Sequence, residues 1–181
     1  MRKNSAGFTL IETLIVIFLM GIVLVAGGNM FFGIMKSASK VEVEREIKQN
    51  GEYALAIMER MIKNSRRVTT CTSEILMIEN LDYEITTFQI LLDSEAGVDR
   101  IASSSALASS LYLTGDNVNV SSSSFITCTT DPVGSLDEDN IRRVDINFTI
   151  TPKGVTAGEV PPEMYAKIDF QTSISLRNFL R

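Results

Sequence analysis

The sequence contains no histidine and no tryptophan, and only two of its 181 residues are cysteine and four proline. The missing histidine removes the commonest metal ligand and the commonest general base. No phosphate-cradling G-x-x-x-x-G-K-[ST] stretch is present, and nothing has the spacing of a metal site. Neither serine nor cysteine has a base to activate it. An enzyme is therefore not expected, and no catalytic residue, metal or cofactor is assigned. Positive charge is scarce as well: 17 Lys and Arg stand against 22 Asp and Glu, a net −5. Phosphates repel an acidic chain, so nucleic acid is not an expected partner. All four prolines come after residue 130.

The most telling absence is of charge. From Thr13 to Met35, 23 residues, no side chain is charged. As a helix this run reaches roughly 35 Å, against a hydrocarbon core of about 30 Å, so it can span a bilayer. Arg2 and Lys3 precede it, which keeps the N-terminus in the cytoplasm and puts the long remainder outside the inner membrane. A secretory signal peptide is the plainer alternative. Its apolar region is about 7–15 residues, shorter than this one, although Val25-Ala26-Gly27 offers a small-residue cleavage site. A simple signal anchor is another. Glu12 argues against both. A carboxylate entering lipid costs a few kcal/mol, and a plain anchor has no use for it. Its natural partner is a positive charge at the same depth.

Gly7-Phe8-Thr9-Leu10-Ile11-Glu12-Thr13-Leu14-Ile15-Val16 resembles the N-terminal motif of type IV pilins and type II secretion pseudopilins. The resemblance implies cleavage between Gly7 and Phe8 by a prepilin peptidase and N-methylation of the new Phe8 amine. It also implies that Glu12 pairs with the Phe8 amine of a neighbouring subunit. Opposite charges at a membrane face attract strongly enough to set register. Loss of a leader holding Arg2 and Lys3 leaves 15 basic against 22 acidic residues, a net −7. The family tends to carry Gly and Pro where this helix unwinds in the filament. Gly21 fits the Gly position and no Pro follows; Gly27, Gly28 and Asn29 stand near the expected spot. Glycine costs about 1 kcal/mol in a helix relative to Ala, so Gly21, Gly27 and Gly28 are candidate weak points. Close helix–helix packing is the other reading of these glycines.

The helix is expected to continue as a stem. Lys36 to Arg67 is free of proline, and Ile47, Ala54, Leu55, Met58, Met61 and Ile62 recur at helical spacing, a face to pack on a sheet. Glu44–Lys48 and Glu59–Lys63 are favourable i,i+4 pairs. Asn50-Gly51 reads as a bend or weak point, and Arg66-Arg67 as a solvated helix C-terminus. After Val68 the pattern turns β. Strands are expected over Ile75–Ile78, Tyr83–Leu92, Leu107–Leu113, Val118–Val120 and Phe125–Thr127. Two more alternate cleanly, one with Ile146, Phe148 and Ile150 on one face, the other with Ile168, Phe170, Thr172, Ile174 and Leu176. Gly115-Asp116-Asn117 is turn chemistry, and Pro152–Pro162 a surface loop. The expected fold is α+β: a long N-terminal transmembrane α-helix packed on an antiparallel β-sheet, a type IV pilin-like roll. In residue terms it divides into a cleaved leader 1–7, a transmembrane and filament-core helix 8–35, an amphipathic stem 36–67 and an extracytoplasmic β-rich head 68–181.

Three further stretches resemble the family. Asn50-Gly51-Glu52-Tyr53-Ala54-Leu55 and Gln171-Thr172-Ser173-Ile174-Ser175-Leu176-Arg177-Asn178 are similar to the stem and last strand of the minor subunits called PilW-like or J-type. Leu113-Thr114-Gly115-Asp116-Asn117-Val118 is similar to a stretch of pilin-like heads. Two cysteines in an oxidising compartment suggest one disulfide, Cys71–Cys128, against the alternative of two free buried thiols. Many minor pilins lack such a bond and major pilins place theirs nearer the C-terminus, so the family leaves this open. Asp131, Asp137, Glu138 and Asp139 crowd one loop and read as solvated rather than as a calcium site. Ser103–Ser105 and Ser121–Ser124 read as loops or polar strand faces, and the Asn147-Phe148-Thr149 sequon falls in a strand.

The resemblance implies a structural subunit of a pilus or pseudopilus, of the minor, tip or priming kind. Its partners would be other pilin or pseudopilin subunits, the prepilin peptidase and methyltransferase, the inner membrane and, indirectly, an assembly platform protein and an ATPase. Two alternatives stand beside it. One is a signal-anchored extracytoplasmic binding domain. The other is a DNA-uptake subunit, whose basic surface would have to come from Arg66-Arg67 and Arg142-Arg143.

Overall fold

The computed structural model describes residues 9–105, 108–130, 141–155, 158, 161 and 164–176. The chain divides into two compact units, Met1–Ser39 and Lys40–Arg181. One helix, α1 (Leu10–Asn64), belongs to both. It is followed by β1 (Arg67–Cys71), β2 (Ile75–Glu79), β3 (Ile85–Asp93), β4 (Val98–Ser105), β5 (Ala108–Tyr112), β6 (Val118–Ser121), β7 (Ile126–Thr130), β8 (Ile141–Pro152) and β9 (Ile168–Ser175).

In the first unit the described residues are Thr9 and the first thirty positions of α1. The helix starts where the Thr9 carbonyl accepts the amides of Glu12 and Thr13 at 3.1 and 3.3 Å. From there to Ser39 no side chain is buried. With no proline to break it, the helix runs through Gly21, Gly27 and Gly28 without interruption.

In the second unit α1 turns one face inward. Ile47, Gly51, Ala54, Met58 and Ile62 are buried, at steps of three and four that keep them on one side. Leu55 and Met61, read as part of the same face, are half-buried against it. Asn50-Gly51 is no bend: the helix is continuous there, and Asn50 Nδ2 donates to the Glu46 carbonyl at 2.9 Å. Gly51 instead makes room, because a Cβ at this position would overlap the Phe170 ring. Lys63 pairs with Glu59 as expected, while Glu44 pairs back to Lys40 at 4.0 Å rather than forward to Lys48.

The strands form two antiparallel sheets, where the sequence pointed to one. The first runs in chain order, β1-β2-β3-β4-β5. In the second, β8 is central. β9 covers one edge, pairing Arg143 with Ser175 through to Ile150 with Ile168. β6 and β7 share the other edge, β6 along 149–152 and β7 along 141–146. They act as one strand broken at Ser122–Phe125. Across the break Phe125 O accepts the Asn147 amide at 2.9 Å, and Ser122 Oγ donates to Asn147 O at 2.8 Å. Val144, Ile146, Phe148 and Ile150 alternate inward along β8, with Phe170 and Ile174 of β9 on the same side. They join the α1 face and Leu76, Ile78, Phe88 and Ile101 of the first sheet in one core.

Two strands escape the sequence reading. β1 and β4 are polar, with Thr69–Thr70 in one and Ser103–Ser105 in the other. They are held by ladders to their neighbours rather than by apolar alternation. Leu107, the acidic cluster Asp131–Asp139, Arg177 and Asn178 lie outside the described residues, as does much of the Pro152–Pro162 loop.

Candidate functional site

Gly7 and Phe8 lie outside the described residues. Glu12 is placed in the first turn of α1, exposed. The partial positive charge of a helix N-terminus favours a carboxylate in that turn. Among the described residues Glu12 has no ion pair. Thr13 Oγ1 beside it is satisfied by the Thr9 and Leu10 carbonyls, at 3.2 and 3.0 Å.

Beyond Glu12 the helix surface is apolar and uncovered. Leu24, Met30 and Phe32 are each at least 65% exposed. An apolar patch this large does not stay bare in water; lipid or protein covers it. The glycines sharpen the point. A Cβ added at Gly21, Gly27 or Gly28 would meet nothing within 4 Å. Packing within this chain therefore requires none of these glycines, although each costs helix stability.

The second unit is closed by contrast. Cys71 of β1 and Cys128 of β7 form a disulfide, with Cα atoms 6.4 Å apart, that staples the two sheets together. Beside it, Ser73 O accepts the amides of Phe125 and Ile126 at 2.9 and 3.2 Å. Arg66-Arg67 is not a solvated helix end. The helix stops at Asn64, Arg67 opens β1, and both guanidinium groups reach the buried Glu79, Arg67 Nε at 2.6 Å and Arg66 Nη1 at 3.5 Å.

A cleft of about 570 Å³ lies between α1 and the Leu113–Asn117 turn. Its walls are already bonded to each other. Arg100 donates from Nη1 to Asp93 Oδ2 at 2.7 Å and from Nε to Thr114 O at 2.9 Å, and its guanidinium lies 4.1 Å over the Tyr112 ring. The Arg100 hydrogen bond holds the Asp93 carboxyl below the usual carboxylate range, helped by the Ala96 and Glu95 amides and opposed by desolvation. Asn50 Oδ1 accepts the Gly115 amide at 2.7 Å, and Asn117 Nδ2 bonds Glu46 Oε1. These contacts lock the turn to the helix. The Asp93–Arg100–Tyr112 stack has no contiguous signature, because its members lie on three strands. Among the described residues no three His, Cys, Asp or Glu side chains gather as a metal site would require.

A helix long and apolar enough to cross a membrane, followed by an α+β head of antiparallel sheets, fits a membrane-anchored subunit and is consistent with a pilin-like fold. The prokaryotic N-terminal methylation motif matches residues 2–28, which supports the resemblance to type IV pilins and pseudopilins. The match takes in Gly7, Phe8, Glu12, Gly21, Gly27 and Gly28 and ends before the head. The motif implies processing by a prepilin peptidase and assembly with other pilin subunits. No curated protein and no solved structure matches the chain.

Proposed function

We propose that the chain is a minor structural subunit of a type IV pilus or type II secretion pseudopilus, without catalytic activity. It enters the inner membrane with its N-terminus in the cytoplasm. It is cut between Gly7 and Phe8, methylated on the Phe8 amine, and drawn into a filament by a platform protein and an ATPase. The observation that carries this reading is the methylation motif at residues 2–28. Glu12 supports the assembly step: it is exposed and has no ion pair among the described residues, and cleavage creates a cation for it on a neighbouring Phe8. The glycines at 21, 27 and 28 are where the helix would loosen in the filament. The minor assignment rests on the similarity of the stem and last strand to minor subunits.

A DNA-uptake role is disfavoured by the state of the basic clusters. Arg66 and Arg67 are engaged by Glu79, and Arg143 Nε by Asp145 at 3.1 Å. The decisive experiment is N-terminal sequencing of the mature chain with mass analysis of its first residue. A start at Phe8 carrying one extra methyl group is the expected result; a start at residue 28 would sink the proposal. Glu12→Ala is expected to remain in the membrane and fail to enter filaments.

A further inference from the structure

The hydroxyls along the N-terminal part of α1 satisfy themselves. Thr13 Oγ1 donates back to Thr9 O, Ser37 Oγ to Gly33 O at 3.0 Å and Ser39 Oγ to Met35 O at 3.2 Å. Farther along, Asn50 folds back in the same way onto Glu46 O. Asn29 does not. Its carboxamide is exposed and has no hydrogen-bond partner among the described residues.

Asn29 is the one amide side chain in the charge-free run, five residues beyond its middle residue, Leu24. At 1.5 Å per residue it stands about 7 Å from the bilayer midplane, inside a half-thickness of about 15 Å. Lipid tails offer neither donor nor acceptor, so an amide left bare at that depth is costly. It closes one end of an apolar furrow along the helix, made by Phe18, Gly21, Ile22, Val25 and Ala26. The small side of that furrow lets another helix come close. Small residues alone say nothing about what lies there, but the amide does.

A carboxamide both donates and accepts. Copies of one chain enter a bilayer the same way round, which puts Asn29 of one copy at the depth of Asn29 of the next. We propose that Asn29 is the polar contact of a parallel helix pair between two copies of this chain. Each Nδ2 donates to the other's Oδ1, and the pair fixes the axial register of the two helices. This rests on the reading that residues 13–35 cross a membrane. It needs neither cleavage nor Glu12, so the uncleaved chain shows it and its failure is separate from a failure of processing.

The test is energy transfer between donor- and acceptor-labelled copies of the full chain in phosphatidylcholine vesicles. Wild type is expected to associate, and Asn29→Gln, which keeps an amide, to retain association. Asn29→Leu should associate about 3- to 20-fold more weakly, the range measured for one interhelical polar side-chain pair. Moving the amide to the other face of the helix, in Asn29→Leu with Met20→Asn, puts it about 6 Å from the midplane in the opposite leaflet, away from the furrow, and should not restore it. A Leu variant as tight as wild type, a monomeric wild type, or full rescue by the moved amide each overturns the contact. A chain that protease digestion shows on one side of the bilayer only takes the membrane reading down with it.

Discussion

Glycine means opposite things in the two units of this chain. In the second unit, Gly51 is pressed against the Phe170 ring, and a Cβ at Gly115 would overlap Asn117 Oδ1 and stand 3.1 Å from Asn50 Oδ1. Each is required by a neighbour in the same chain. In the first unit, Gly21, Gly27, Gly28 and Gly33 face open space. Charge divides the same way. Asp93 and Glu79 have arginine partners within the head, while Glu12 has none among the described residues. The head thus answers its own demands, and the N-terminal helix poses demands that a membrane and other subunits must answer.

The largest test of that division is the disulfide. Cys71–Cys128 closes a separation of 57 residues across both sheets. On the chain-entropy model such a closure is worth about 4 kcal/mol. The double variant Cys71→Ser/Cys128→Ser is expected to lose roughly that much head stability in urea unfolding of the detergent-solubilised chain. The helical signal of residues 10–39 should survive, since none of those residues is buried. Co-operative loss of both would break the comparison.

A paired substitution sharpens it. Gly51→Ala forces the Phe170 ring aside in a filled core and should cost the head about 2 kcal/mol, the middle of the range for overpacking. Gly28→Ala adds the same methyl group in open space and should leave head unfolding within about 0.5 kcal/mol of wild type. Equal effects would mean that the glycines of the two regions are not under different constraints.

Much of this architecture was legible in the chain. The charge-free run, Glu12 and the helical stripe from Ile47 to Ile62 each obey a short-range rule, and so do the strands whose apolar residues alternate. What escaped is long-range. β4 reads as a serine loop until β3 and β5 flank it, because ladder hydrogen bonds do not depend on side-chain polarity. Asn50-Gly51 carries the local chemistry of a turn. Tertiary contacts override it: Phe170 fills the space Gly51 leaves, and Asn50 reaches Gly115, 65 residues away. Arg66-Arg67 looks like a helix end because Glu79, its partner, comes 12 residues after Arg67. Of the candidate site, the motif itself was readable, since it is contiguous; that Glu12 and Asn29 have no partner among the described residues only becomes visible once the helix is seen with its surroundings.

The smallest effect is a pH dependence confined to the head. Arg100 lowers the folded-state pKa of Asp93 below its unfolded value of about 3.9. The unfolded chain therefore binds the proton more readily, and the ion pair's contribution to stability is fully present above that unfolded value. It is lost as pH falls from about 4 through the lower folded pKa. The difference in unfolding free energy between wild type and Asp93→Asn should be flat from pH 7 to pH 5 and shrink below pH 4, with a slope of at most one proton. The removal of Glu12 in Glu12→Gln should leave that head profile unchanged, because Glu12 has no ion pair among the described residues. A Glu12→Gln profile shifted like that of Asp93→Asn would mean that the N-terminal helix draws on the head after all, and that its unpaired charge is no sign of a partner outside the chain.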